Sequence, residues 1–271
     1  QAAFEKAPAS VKVLLDAKAS VDAIDFDNDT ALKCAVRNGD IETVRLLIDA
    51  GAQVELSYSV YTSPLKEGLK SDSPDMVRVL VEGKADVQKL TKYDTEPLED
   101  AVTQNRIEVI KLLVNAGLDL SQSTILAAKL LHTAVEGRNI DMLRILIDAK
   151  APVDAVNPDA STETPLAAAI LSYPLRLDIV EVLLAAGARV DACVTESGEP
   201  VLWFIRVFGN PQLLKCLLRA LCQQTGYLQP SEKVENMSDD LSVTDNQDGS
   251  NSSIGNDHDS GEENVFDQDS Q

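Results

Sequence analysis

The sequence predicts an all-α solenoid of stacked helix-turn-helix units, followed by a disordered acidic tail. Two phased leucine series and one shift in composition predict it. A leucine in an apolar, helix-like stretch recurs at Leu14, Leu47, Leu80, Leu113, Leu146, Leu183 and Leu217, with spacings 33, 33, 33, 33, 37 and 34. A second series runs Leu32, Leu65, Leu98, Leu131, Leu166 and Leu202, spaced 33, 33, 33, 35 and 36. Two interleaved series at one period mean two helices per unit. Among the 271 residues, 44% are hydrophobic and only 4% aromatic, a balance that favours close-packed helices in an extended array. Residues 226–271 hold twelve acidic residues and one lysine, a net charge of −11, which leaves −9 of the total −20 for residues 1–225.

The elements follow in order. Ala2 and Ala3 align with the end of a first helix whose start would lie upstream of Gln1, so the chain is expected to begin inside a unit. The second helix carrying Leu14 follows, and then a segment with Asp25, Asp27 and Asp29 at alternate positions. A calcium loop would need Gly at its sixth position and Glu at its twelfth, but these are Thr30 and Val36, so the segment is read as a turn. First helices open at Thr30-Ala-Leu, Ser63-Pro-Leu, Glu96-Pro-Leu and Thr164-Pro-Leu, where proline is tolerated because its missing N–H has no helical partner there.

A polar break such as Asn38-Gly39-Asp40 separates each first helix from an amphipathic second one, as in IETVRLLIDAGA with Ile41, Val44, Leu47 and Ile48 on one face. Gly51, Gly117 and Gly187 end three second helices at the left-handed cap position, which Lys18, Lys84 and Lys150 take in alternate units. Between Leu120 and Leu131 hairpin residues are missing, which predicts a helix capped near Ser123 and a shortened tip. Two residues are added before Leu166 and two between Leu166 and Leu183, where Tyr173-Pro174-Leu175 interrupts the inter-helix turn. The helix PQLLKCLLRALCQQ should run to about Gln224 and stop at Gly226.

These units resemble the ankyrin repeat, a 33-residue β-turn and helix pair whose first helix opens with T-P-L-H-x-A. Val21-Asp-Ala-Ile-Asp-Phe-Asp-Asn-Asp-Thr-Ala-Leu is similar to the family pattern V-N-A-x-D-x-x-G-x-T-P-L, and the resemblance covers residues 1–225. It puts Asp25 at the hairpin aspartate, and Asn28 at a glycine position that needs positive φ, which asparagine tolerates. It gives His132 a structural role between turns of neighbouring units, and places Cys34 at a buried position.

The resemblance further implies an ankyrin-repeat solenoid of helix-turn-helix units with β-hairpin tips that binds a partner protein along its concave face. By register, the outward-facing tip and helix-end residues are Phe26, Asp27, Asp29, Arg37 and Asn38 in one unit, and Ser59, Val60, Thr62, Lys70 and Ser71 in the next. The third set is Lys92, Tyr93, Thr95, Thr103 and Gln104. Phe26, Tyr58, Tyr61 and Tyr93 gather around these three tips, and aromatic residues on a polar rim are typical binding hot spots. Trp203 is expected to pack in the last unit.

Other chemistries find little material. No P-loop, GxGxxG, GxSxG or HExxH occurs, only two histidines are present, and no enzyme or cofactor is expected. The four cysteines make no CxxC pair or zinc spacing, which points to reduced thiols in an intracellular protein, cytoplasmic or nuclear. Net negative charge opposes direct nucleic acid binding, and no apolar run approaches the ~18 residues that span a bilayer. The partner is therefore expected to be a protein, the chain a monomer, and residues 226–271 a disordered tail in which Ser242 and Ser260 resemble acidophilic kinase sites. Two sharper roles remain open: an inhibitor or co-regulator of a transcription factor, or the recognition arm of a larger enzyme or receptor whose module lies upstream.

Overall fold

The computed structural model describes residues 3, 7–55, 63–71, 73–92, 95–156, 163–191 and 210–226. Its helices form two rows. The first helices are α2 (Ala31–Arg37), α4 (Pro64–Lys70), α6 (Glu96–Thr103), α8 (Thr124–Glu136) and α10 (Pro165–Leu171). The second helices are α1 (Pro8–Asp16), α3 (Ile41–Asp49), α5 (Pro74–Glu82), α7 (Ile107–Asn115), α9 (Ile140–Asp148), α11 (Leu177–Ala185) and α12 (Pro211–Thr225). Each first helix packs on the second helix that follows it, α2 to α8 each also pack on the first helix of the next unit, and second helices pack along their own row. Five helix pairs are thus complete among the described residues, with α1 before them and α12 after. Ala2, Leu202, Trp203 and the tail beyond Gly226 lie outside the described residues.

Both leucine series point into one continuous core. From Leu47 to Leu217 the first series is at most 2% exposed, and from Leu32 to Leu166 the second is at most 1%. Leu14 departs from this rule at 51% exposed. Local chemistry sets the helix starts: Thr30, Ser63 and Thr164 each accept a backbone N–H three residues on, at 3.2, 3.2 and 3.3 Å. Asp40, Ser73 and Asn139 do the same for second helices. Thr95 does not: its backbone is helical, with φ −91° and ψ −10°, where the other three caps are extended, and its hydroxyl donates to Glu99 Oε1 at 2.6 Å.

The second helices end alike. Gly51, Gly117 and Gly187 have φ of 89°, 97° and 93°, and Lys18, Lys84 and Lys150 have 59°, 65° and 61°. In every case the following N–H bonds back to the carbonyl of the phased leucine, as Ala52 N–H does to Leu47 and Ala85 N–H to Leu80, so the cap geometry is shared whichever residue occupies it. Gly68 has a different reason to be glycine: a Cβ there would meet Leu80 Cδ1 at 2.7 Å, so α4 can approach α5 only without one.

Units are also tied through polar side chains. Asp22 Oδ1 accepts from Gln53 N–H at 3.0 Å, Glu55 Oε1 from Asp86 N–H at 2.7 Å, Gln88 Oε1 from Asp119 N–H at 2.6 Å and Asp154 Oδ1 from Arg189 N–H at 2.9 Å. His132 Nε2 lies 3.0 Å from the Glu163 carbonyl, the inter-unit contact expected of it. Arg106 donates to the carbonyls of Leu69 and Ser71 at 2.6 and 3.1 Å, and Arg138 to that of Tyr173 at 2.5 Å, joining successive inter-helix turns.

Two connections differ from expectation. Ahead of the third tip, Val87–Thr91 forms a 3-10 helix that leads into Lys92. Farther on, α8 does begin after Ser123, but the Ser123 side chain is no cap: its hydroxyl donates to the Thr91 carbonyl of the preceding unit at 3.3 Å. A 33-residue step from Glu96 leads to 129, so α8 starts five residues early and occupies the space of the missing tip. The last helix ends as the sequence predicts, at Thr225 with Gly226 at φ 68°.

Candidate functional site

The tip before α2 is held by its own backbone and one carboxylate. An antiparallel bridge joins Ile24 and Thr30, Asp25 N–H donates to the Asp29 carbonyl at 3.0 Å, and Asn28 has the positive φ, 59°, that its position requires. Asp25 Oδ1 accepts from the N–H groups of Asp27 and Asp29, both at 2.9 Å. This oxygen is thus taken up by the turn itself. Among the described residues no group of three or more potential metal ligands occurs.

Asp29, expected to face outward, does not. It is 6% exposed and bonds Lys33 Nζ at 2.5 Å and Arg37 Nη2 at 2.6 Å, because the tip folds its side chain back over α2. Burial alone would raise its pKa, but the hydrogen bonds and charges of Lys33 and Arg37 outweigh burial and hold the carboxyl below its ordinary value. Cys34, expected buried, is half-buried; burial first, then Asp29 and Asp25, pushes its thiol up, which keeps it protonated and unreactive.

The other candidates sort by exposure. Phe26 is fully exposed, at 107% of its reference area, and Asp27 beside it is exposed too. Arg37 is 45% exposed although paired to Asp29, and Asn38 is half-buried as the C-cap of α2. Lys70 is exposed with Glu67 at 3.3 Å, Lys92 is exposed, and Gln104 is exposed and accepts from Arg106 Nη2 at 2.5 Å. Tyr58, Val60, Tyr61 and Tyr93, with Ser59 and Thr62, lie outside the described residues.

Sequence reasoning missed the bonds that Arg106 and Arg138 make between inter-helix turns. Their signal is faint, since the donors and the carbonyls they reach are 35 to 37 residues apart. The acceptor ladder had a clearer one in the polar residues Asp22, Glu55 and Gln88 at a 33-residue spacing. Among the described residues no helix is long and apolar enough to cross a membrane.

The family model for ankyrin repeats matches residues 1–58 and 123–193, in three copies. No curated protein sequence matches the chain. Among solved structures, the ankyrin repeat domain of human ASB11 is 23% identical, with a TM-score of 0.52 over 74% of this chain and 88% of that one. An ankyrin repeat domain from Acinetobacter baumannii is 24% identical, with a TM-score of 0.56 over 69% of this chain and 96% of that one. The ankyrin repeat domain of Bcl-3, a member of the IkappaB family, is 22% identical, with a TM-score of 0.54 over 74% and 90%. These likenesses are of fold. The stretch between the two matched segments contains α4 to α7, which repeat the same helix-pair packing. The two matched segments are ankyrin repeats, and the phased buried leucines and stacked helix pairs run through them and through the stretch between.

Proposed function

We propose that this chain is a recognition scaffold that holds a partner protein against its first helices and tips. Ankyrin repeats are in general protein–protein interaction modules, and their homologues are typically not enzymes. The observation that carries the finer reading is Phe26, a fully exposed aromatic on a turn already fixed by Asp25 and the Ile24–Thr30 bridge. Such a side chain loses little conformational freedom on binding and has its whole apolar surface to bury. Asp27 and Arg37 add exposed polar groups of both signs around it.

Tyr58 and Tyr93 extend the same reading to the next two tips, on sequence register alone. The acidic residues after Gly226 act differently: a charge of −11 speeds encounter with a basic partner at low salt while adding little specific affinity. The test is capture of a partner from lysate, followed by binding kinetics on Phe26→Ala with Tyr93→Ala and on a chain ending at Gly226. The aromatic variant should lose capture by faster dissociation, and the truncated chain should lose only association rate. Normal binding by the aromatic variant, with capture abolished by truncation, would place the function in the tail.

A further inference from the structure

The turn between α10 and α11 is unlike the four inter-helix turns before it. Each of those has three residues, whereas this one has five, 172–176, and it carries Tyr173, 92% exposed, with Pro174 exposed beside it. Its backbone is held at three points. Ser172 N–H donates to the Ala168 carbonyl at 3.0 Å, Ser172 Oγ to the Ala169 carbonyl at 2.8 Å, and Arg138 Nη2 of the preceding turn to the Tyr173 carbonyl at 2.5 Å. An aromatic side chain thus stands in water on a turn that needs little further ordering, a condition under which its burial yields the most affinity.

Arg138 supplies a second observation. It has φ 54° at the cap position after α8, where α2 has Gly39 at φ 69°, so a long side chain stands where the left-handed backbone favours glycine. Glu136 and Asp141 are exposed on either side of it in sequence, yet neither pairs with it, and Arg176 on the longer turn is taken by Asp178 at 2.5 Å. Among the described residues the one acceptor of the Arg138 side chain is the Tyr173 carbonyl. The rest of this exposed guanidinium keeps its donors for a group from outside.

We propose that Tyr173, Pro174 and Arg138 form a docking surface for a short segment of a partner protein in which an aromatic residue or proline lies beside a single carboxylate. Tyr173 and Pro174 bury the apolar residue, and the remaining N–H groups of Arg138 hold the carboxylate by charge-assisted hydrogen bonds. Glu136 and Asp141 oppose any further acidic residue, so the segment that fits is not an acidic run. The surface lies where first helices end, four helices along the row from α2 and away from the tips where first helices begin. It therefore does not rest on partner capture by Phe26.

The probe is a phage-displayed library of random peptides, depleted on the full chain carrying Tyr173→Ala and then panned on the unaltered full chain. Enriched peptides should share an aromatic residue or proline beside one Asp or Glu. By fluorescence anisotropy, Tyr173→Ala should weaken them by about tenfold or more, while its urea midpoint stays unchanged because the side chain is already in water. Arg138→Gly installs the residue that α2 already uses at this cap. It should weaken the peptides by about fivefold, and should leave unaffected those in which the Asp or Glu is replaced by its amide, a coupling that a role confined to holding the turn would not produce. The proposal is overturned if no peptide survives the depletion, if the enriched peptides lack the carboxylate, or if Arg138→Gly weakens acid and amide peptides alike. A fall in the urea midpoint with Tyr173→Ala overturns it too, since the ring would then belong to the core.

Discussion

Between α1 and α2 the chain uses residues 17–30 to build a hairpin tip, whereas between α7 and α8 it has only residues 116–123 and starts the helix early. The polar backbone is satisfied by different means in the two places. In the first, the Asp25 carboxylate accepts from Asp27 and Asp29; in the second, Leu120 N–H donates to the Ala149 carbonyl at 2.8 Å and Ser121 N–H to Asp119 Oδ1 at 2.9 Å. The surfaces differ as well, one presenting Phe26 on a turn and the other Ile125, 55% exposed, on a helix. Yet Leu32 and Leu131 are buried equally, at 1% and 0%. Register therefore belongs to the buried faces of the helices, and the tips are free to vary in length and chemistry around it.

The strongest way to break this comparison is to attack what both regions share. Leu32→Ala and Leu131→Ala should each cost about 2–5 kcal/mol in urea titrations, as should Leu80→Ala, because each leaves a cavity in the continuous core. Leu14→Ala should cost no more than about 1 kcal/mol, since half of that side chain is already in water. A loss at Leu32 far below that at Leu131 would mean that the tip, not the helix face, sets the register.

A change confined to one tip should be smaller and should stay local. Asp25→Ala removes the acceptor of two backbone N–H groups and should cost about 1 kcal/mol. Amide exchange should speed up at Asp27 and Asp29 while the α8 amides keep their protection; faster exchange in both would show that the two connections are coupled.

Acid should separate the regions again. The Asp29 carboxyl has a folded-state pKa below its unfolded value of about 3.9. Its contribution is therefore complete above that unfolded value and is lost as pH falls through the lower folded one. Asp29→Asn should flatten this part of the acid-unfolding curve below about pH 4. An unchanged slope between the native chain and the variant would show that Lys33 and Arg37 give this carboxylate no net preference for its charged form.

The smallest expected effect sharpens the finding that the caps share one geometry. Lys84→Gly should stabilise by about 0.5 kcal/mol, because relief of the left-handed strain on a lysine exceeds glycine's entropic cost by roughly that much. Gly51→Ala, at φ 89°, should destabilise in the same assay. Opposite signs are expected from thermal melts of the two variants, and equal signs would mean that the lysine caps gain from contacts of their own.

Much of the fold was legible because a repeat displays the same physical problem several times. Periodic leucines name the buried faces, Thr-x-Leu and x-Pro-Leu name helix starts, and the positive φ at Asn28 and at the lysine caps follows from positions where glycine otherwise stands. The candidate site was less legible. Register located Phe26, Arg37, Lys70 and Gln104 at exposed positions, but it also sent Asp29 outward, since a sequence shows a carboxylate and not the two cations that fold over it. Ser123 misled in the same way: its type and place said cap, and a carbonyl of the preceding unit took its hydroxyl. By itself the sequence determined which faces are buried and where helices begin, because those depend on residue type and spacing along the chain. Only the tertiary structure decided that Asp29 is inside, that α8 replaces a tip and that Ser123 bonds the Thr91 carbonyl of the preceding unit, because each depends on groups about 30 residues away or on neighbours brought round by a turn.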